Sequence, residues 1–314
     1  MLVAIDWGTS SLRAYLLGEN GRVVDRRAES WGILQVPGRD FGAAFERITA
    51  DWSSQYGGLP ALAAGMIGSA QGWVEAGYVD VPAGIAQLAD GLIVVPGTRL
   101  RIVPGVAQRG GFPDVMRGEE TQIVGALALA PDLADEVVVL PGTHSKWVRL
   151  AAGQVNRFTT FMTGELFAVL RTHSILGRLA PAGAGDADDP QAFARGVLAA
   201  QNATRGLSSL LFSARASVLV GDLPAGSSLD YLSGLLIGDE LRAGLATGGR
   251  PAALIGDPAL CARYGVALEL LGISGVRILD DAAPSGLWAI AEHASIMSQR
   301  EPGSSRKPVS GRSN

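Results

Sequence analysis

Residues 2–13, Leu2-Val3-Ala4-Ile5-Asp6-Trp7-Gly8-Thr9-Ser10-Ser11-Leu12-Arg13, read as an apolar strand, an acidic residue, a turn of small residues and a second strand. A degenerate copy returns as Val137-Val138-Val139-Leu140-Pro141-Gly142-Thr143-His144-Ser145-Lys146-Trp147-Val148-Arg149-Leu150. Gly8-Thr9 and Gly142-Thr143 take the same place in the two copies, and a further strand follows each. One such turn needs only local chemistry, since Gly, Ser and Thr are turn residues in their own right. A pair separated by half the chain points to a duplicated fold. Two facing hairpins make a clamp whose backbone N–H groups and hydroxyls can hold a polyphosphate from both sides. Only the first copy keeps a carboxylate, Asp6, which suits a clamp with one metal anchor.

The same plan surrounds each hairpin. Segments 2–7, 11–17 and 22–28 predict a three-strand meander. A helix follows over 41–52, where Phe41, Ala44, Phe45, Ile48 and Trp52 have helical spacing. Strands are expected at 61–67, 92–95 and 100–103, then a helix over 121–130 that Pro131 ends. The second half predicts strands at 136–141, 146–151 and 155–161 and a helix from about Glu165. Helices over 190–213 and 227–246, a strand at 252–255, a helix over 258–271, a strand at 276–279 and a helix over 285–298 complete it. This alternation, made twice, predicts an α/β chain of two domains, 1–132 and 133–299, with a cleft between them. Segment 181–190 reads as an exposed loop, and 300–314 as a disordered tail.

Composition removes several function classes. A net charge of −4 with no basic stripe gives no electrostatic case for nucleic acid or an anionic membrane. Cys261 is the only cysteine, so a disulfide framework is excluded and a reducing cytoplasm is expected. His144, His173 and His293 lack metal-ligand spacing. The apolar run at 123–130 is too short for a membrane span. There is no Walker-type loop and no Gly-x-Gly-x-x-Gly after a strand, so the hairpin pair is the phosphate-binding device.

Asp6 sits where a buried strand meets a glycine turn. A carboxylate there is costly unless it meets metal, water or donors, and a hydrated Mg²⁺ bridging the phosphates of ATP meets that need. Arg117-Gly118-Glu119-Glu120-Thr121-Gln122 opens a helix, where negative charge is favoured. Capping accounts for one glutamate. The other is a candidate general base for a substrate hydroxyl attacking phosphorus. Arg117 beside them is a credible carboxylate partner. Met162-Thr163-Gly164-Glu165 forms a strand-to-helix junction. Ser233-Gly234-Leu235-Leu236-Ile237-Gly238 reads as a closely packed helix able to face a base, and Ile255-Gly256-Asp257 as the turn of a purine or ribose pocket. Cys261 reads as core.

Taken in order, the Asp6–Arg13 string, Ala64-Gly65-Met66-Ile67-Gly68-Ser69, Met116 to Gln122, Pro141 to Val148, Met162 to Leu166 and Ser233 to Gly238 closely resemble the 2-dehydro-3-deoxygalactonokinase family. The resemblance runs from residue 2 to about 297. It implies the actin, hexokinase and sugar-kinase superfamily, with two ribonuclease H-like (actin-like ATPase) domains. It also implies transfer of the γ-phosphoryl group of ATP to the 6-hydroxyl of 2-dehydro-3-deoxy-D-galactonate, with Mg²⁺. On that resemblance Gly8, Thr9, Ser10 and Ser11 form the first phosphate element, and Gly142, Thr143 and His144 the second, with Lys146 beside it. Gly234, Gly238, Gly256 and Asp257 fall to the adenosine side. Arg13, Ser69, Arg117, Thr163 and Glu165 fall to the sugar acid. Gly118-Glu119 stands where related sugar kinases carry Gly-Asp, so Glu119 is preferred over Glu120 as base. The implied partners are small molecules, with a homodimer left open. The rival readings are a nucleotide or polyphosphate phosphohydrolase and a non-catalytic, nucleotide-gated assembly protein.

Overall fold

The computed structural model describes residues 1–179, 189–280 and 282–298. Residues 181–188 of the loop expected over 181–190, and the tail at 300–314, lie outside them. The first half runs β1 (Leu2–Trp7), β2 (Leu12–Leu17), β3 (Val23–Glu29), α1 (Phe41–Tyr56), β4 (Ala61–Ala64), β5 (Tyr78–Asp80), α2 (Ile85–Asp90), β6 (Ile93–Val94), β7 (Leu100–Ile102), β8 (Gly105–Gln108), β9 (Asp114–Met116) and α3 (Glu119–Leu129). The second runs β10 (Val137–Leu140), β11 (Ser145–Ala151), β12 (Gln154–Phe161), α4 (Thr163–His173), α5 (Pro190–Gln201), α6 (Leu207–Leu211), α7 (Ser213–Leu219), α8 (Ser228–Gly248), β13 (Pro251–Ile255), α9 (Pro258–Leu270), β14 (Arg277–Leu279) and α10 (Ala282–His293).

The expected duplication is present in the sheets. One has the order β3-β2-β1-β4-β7-β6, the other β12-β11-β10-β13-β14. In both, a meander of three antiparallel strands pairs through its first strand with a parallel neighbour, β4 or β13, and then with another. Strand alternation divides the apolar residues between two faces. Leu2 and Ala4 of β1, with Val138 and Leu140 of β10, enter one shared core between the sheets. Val3, Ile5 and Trp7 pack on the α1 side, and Val137 and Val139 on the α8–α9 side.

α3 and α10 lie in that shared core and cross backbone on backbone. A Cβ at Gly125 would meet the Ala282 carbonyl oxygen at 1.8 Å, and one at Gly286 the Thr121 carbonyl oxygen at 1.9 Å. The sequence reading put the last helix in the second unit, whereas its packing partners are α3, α2 and β1 of the first half.

Three details depart from the expected elements. The strand expected at 61–67 stops at Ala64, because Gly65 at φ +95° turns the chain into a short 3-10 turn. The helix expected over 190–213 is two, α5 and α6, with Asn202 and Gly206 in the break. The small sheet β5-β8-β9 was not expected at all, since its strands are three or four residues long. Among the described residues no helix is long and apolar enough to cross a membrane.

Candidate active site

Both Gly-Thr turns are seated in the same way. In the first, the Gly8 amide donates to the Ser11 carbonyl (2.9 Å) and closes the hairpin, leaving Thr9 and Ser10 exposed. Gly32 packs on this turn so closely that a Cβ would fall 2.0 Å from the Thr9 carbonyl oxygen, and the Ile33 amide donates to Gly8 (3.0 Å). In the second, a Cβ at Gly164 would fall 2.5 Å from the Gly142 carbonyl oxygen, and the Glu165 amide donates to Thr143 (3.0 Å). Each turn is therefore held from behind by a glycine that follows the third strand of its own meander. Sequence reading missed Gly32; its place after β3, matching that of Gly164 after β12, was the available signal.

Asp6 is the next-to-last residue of β1, in register with Arg13 on β2 and Ala64 on β4. Burial raises its carboxyl above the usual range, partly offset by the Arg13 guanidinium at 3.7 Å. Among the described residues no hydrogen-bond donor reaches it. Gly118, at φ +107°, lets the start of α3 come against Gly65, where a Cβ would stand 3.3 Å from the Gly65 Cα. That approach brings α3 to the end of β1 and β4.

At this helix start the two glutamates reach back to unpaired amides. Glu119 Oε2 accepts from Arg117 N (3.0 Å) and Glu120 Oε2 from Gly118 N (2.6 Å). Glu120 is 1% exposed and also accepts from the Thr121 hydroxyl. Burial, then the neighbouring Glu119 charge, pushes Glu120 up to about 7. Burial raises Glu119 too, but Lys146 and His144 of the second half pull it back. Glu119 therefore lies within electrostatic reach of Lys146 in the second half, while Glu120 is buried against Gly118 and Thr121.

Lys146, expected beside the nucleotide, is instead a buried tie between the halves. Its ammonium donates to Val115 O on β9 (2.9 Å) and to Thr160 Oγ1 (2.7 Å). Thr160 in turn donates from its amide and hydroxyl to Asp114 (2.7 and 2.6 Å). The unexpected small sheet supplies this seam. Arg117 stacks on Tyr78 at 4.4 Å and donates through Nη2 to Gly77 O, while its buried Nε and Nη1 have no hydrogen-bond partner among the described residues. Arg13 is freer, with 55% of its side chain exposed. Ser69 accepts from the Gln71 amide in the turn beside Arg117. His144 and Glu165 pair with each other at the mouth of the second turn.

A cavity of about 810 Å³ opens beside Gly142 and Thr143, walled by Phe193, Ser233, Leu236 and Arg263. Arg263 is fixed by Asp230 (2.8 Å) and Ser233 (3.0 Å) and lies over the Phe193 ring. Gly234 and Gly238 do not line the cavity. Their hypothetical Cβ atoms would meet Phe193 O and Val197 O of α5 at 2.2 and 2.8 Å, so close helix packing accounts for both. Gly256 makes a positive-φ turn next to Pro141, and Asp257 caps α9 through the Leu260 amide (2.9 Å). Both act on this wall through α9. Cys261 is fully buried, and burial, then Asp257, pushes its thiol up to about 11, which leaves it unreactive.

A profile of the 2-keto-3-deoxy-galactonokinase family matches residues 6–290. The chain belongs to that family. A 2-dehydro-3-deoxygalactonokinase of Escherichia coli (strain K12) is 36% identical over 293 residues, covering 92% of this chain and 97% of the relative. A Rhizobium meliloti (strain 1021) protein assigned the same activity is 40% identical over 295 residues, with 92% and 95% covered. A crystal structure from Sinorhizobium meliloti with that assignment superposes at TM-score 0.83 and 39% identity, covering 93% of this chain and 99% of its own. The Clostridium difficile 2-hydroxyisocaproyl-CoA dehydratase activator with bound ADPNP matches at TM-score 0.51 and 10% identity, a likeness of fold alone. The galactonokinase-family chain thus has the actin-like ATPase fold. Members of the family are kinases, which use ATP.

Proposed function

We propose that the chain phosphorylates the 6-hydroxyl of 2-dehydro-3-deoxy-D-galactonate with ATP, a step of galactonate catabolism. One observation carries this reading. In a chain of this family, the helix start bearing Glu119 abuts Gly65, which itself packs against Trp7 and Asp6, and lies within electrostatic reach of Lys146 beside the second Gly-Thr hairpin. Phosphoryl transfer asks the protein mainly to position the reactants and neutralise charge.

Glu119 is the general base. It takes the proton of the 6-hydroxyl as that oxygen attacks the γ-phosphorus and the bond to the β-phosphate oxygen breaks, releasing ADP. Its exposure to Lys146 and His144 supports this role, whereas Glu120 is occupied by Gly118 and Thr121. The turn 8–11 and the turn 142–144 grip the phosphates through amides and hydroxyls. Asp6 fits Mg²⁺: a desolvated carboxylate without donors suits an ion that keeps most of its waters. When bound, such an ion neutralises charge on the phosphates. The cavity beside Thr143 takes the adenosine. Arg13, whose side chain is more than half exposed beside Asp6, is the partner for the substrate carboxylate. On this reading residues 1–132 carry the acid and the first phosphate element, and the unit from 133 onward carries the second and the nucleoside.

ATP consumption, followed with the sugar acid, with a neutral sugar and with no acceptor, tests the proposal. The expected result is acid-dependent ADP release and a 6-phosphorylated product by mass and NMR. Turnover of ATP independent of acceptor would establish a phosphohydrolase instead.

A further inference from the structure

Glu240 lies in the middle of α8 with 1% of its surface exposed, yet it bears no part of the chemistry above. Its Oε1 accepts from Ser145 Oγ (2.6 Å) and Trp147 Nε1 (2.9 Å). Its Oε2 accepts from Tyr264 Oη (2.6 Å) and Thr163 Oγ1. Among the described residues no cation pairs with it. Burial raises its carboxyl, and the four donors hold it down. A buried carboxylate with no cation beside it costs desolvation free energy, offset here by its hydrogen bonds alone. What the carboxylate supplies is geometry, because two oxygens with two donors each fix four directions at once.

Those four donors surround the second Gly-Thr turn. Ser145 begins β11 directly after His144, and Trp147 follows two residues on. Thr163 begins α4, and the next residue, Gly164, rests on Gly142. Tyr264 stands in the wall of the adjoining cavity. We propose that Glu240 is a positioning residue for the turn 142–144, acting through Ser145 on one side and Thr163 on the other to hold that turn in line with the cavity. The sequence assigned Thr163 to the sugar acid; its hydroxyl is given to Glu240. This inference rests on the reading of that turn as a phosphate grip.

Glutamine and leucine at 240 separate geometry from bulk. In Glu240→Gln the amide oxygen keeps Ser145 and Trp147, whose indole N–H can only donate, while the amide NH₂ faces the Thr163 and Tyr264 hydroxyls, which can turn to accept. Glu240→Leu loses all four bonds. At matched folded fraction, Glu240→Leu is expected to raise KM for ATP by about tenfold or more, and Glu240→Gln by less than about threefold, with KM for the sugar acid unchanged in both. Ser145→Ala and Thr163→Val, each removing one donor, should raise KM for ATP alone, and they carry the test if Glu240→Leu does not fold. Normal ATP KM in the folded variants, or equal rises for both substrates, would overturn the inference. Wild-type protein that shows no acid-dependent ATP consumption would overturn the underlying reading instead, so the two failures are distinct.

Discussion

The ammonium of Lys146, on the second sheet, donates to the backbone carbonyl of Val115, in the first half, across 2.9 Å. The tie sets a positive charge where it lowers the carboxyl of Glu119 against the effect of burial. Lys146→Met removes the charge and keeps the bulk. The acid limb of kcat/KM should then move to higher pH by roughly one unit, as expected for loss of a nearby opposite charge. A pH–rate profile checks this, and an unmoved acid limb would separate Lys146 from the base.

Asp6→Asn keeps volume and polarity while removing the charge proposed to hold the metal. Burial disfavours that charge in the folded protein, so the melting temperature should stay close to wild type. The expected fall in kcat is roughly 10²-fold or more, the scale for losing a charge-stabilising group. Wild-type turnover across a magnesium titration would sink the assignment.

Glu119→Gln should cost about 10²-fold in kcat, the scale of a general base, and Glu120→Gln much less. Glu120 has a stability signature as well. Glu120 is raised from 4.5 to about 7 in the fold, so the folded state holds its proton over a range where the unfolded chain has lost it. That contribution is full below 4.5 and is lost as pH rises through 7, so stability falls across this window. Glu120→Gln should flatten the fall, its gain over wild type growing with pH up to about 7. Melting curves between pH 4 and 8 measure it, and parallel curves for the two proteins would contradict it.

Gly32→Ala and Gly164→Ala each put a methyl group into a turn carbonyl, at 2.0 Å from Thr9 and 2.5 Å from Gly142. Overpacking of this kind typically costs about 1–3 kcal/mol. Because the displaced groups are the two phosphate turns, KM for ATP should rise in both variants beyond the loss of folded protein. Denaturant melts beside steady-state kinetics resolve the two effects.

Arg13→Lys keeps the charge but gives up paired, planar hydrogen bonding to a carboxylate. KM for the sugar acid should rise severalfold, KM for ATP should hold, and the preference over a neutral sugar should weaken. An unchanged acid KM would leave the carboxylate with another partner.

The long periodic segments were legible in the chain. The meanders, α1, α3, α8 and α9 fall within a few residues of their expected places, because burial on one face dictates their period. The sheet β5-β8-β9 was not, as its strands are shorter than any period and are recruited by the edge of β12, where Gln108 and Asp114 meet the amides of Phe158 and Thr160. The twin turns and the Glu119–Glu120 pair stood out as local strings. Lys146, Glu240 and Gly234 did not disclose their parts, since each is defined by partners far along the chain: Val115, Thr163 and Phe193.

Gly125 and Gly286 let α3 and α10 meet with no side chain between them. Chain order gives that contact a direction in time. Both turns and the helix that begins with Glu119 leave the ribosome ahead of α10, which packs on that helix. The nascent first half therefore exposes the α3 face that α10 will cover, and the support for Glu119 is complete only once α10 has been made.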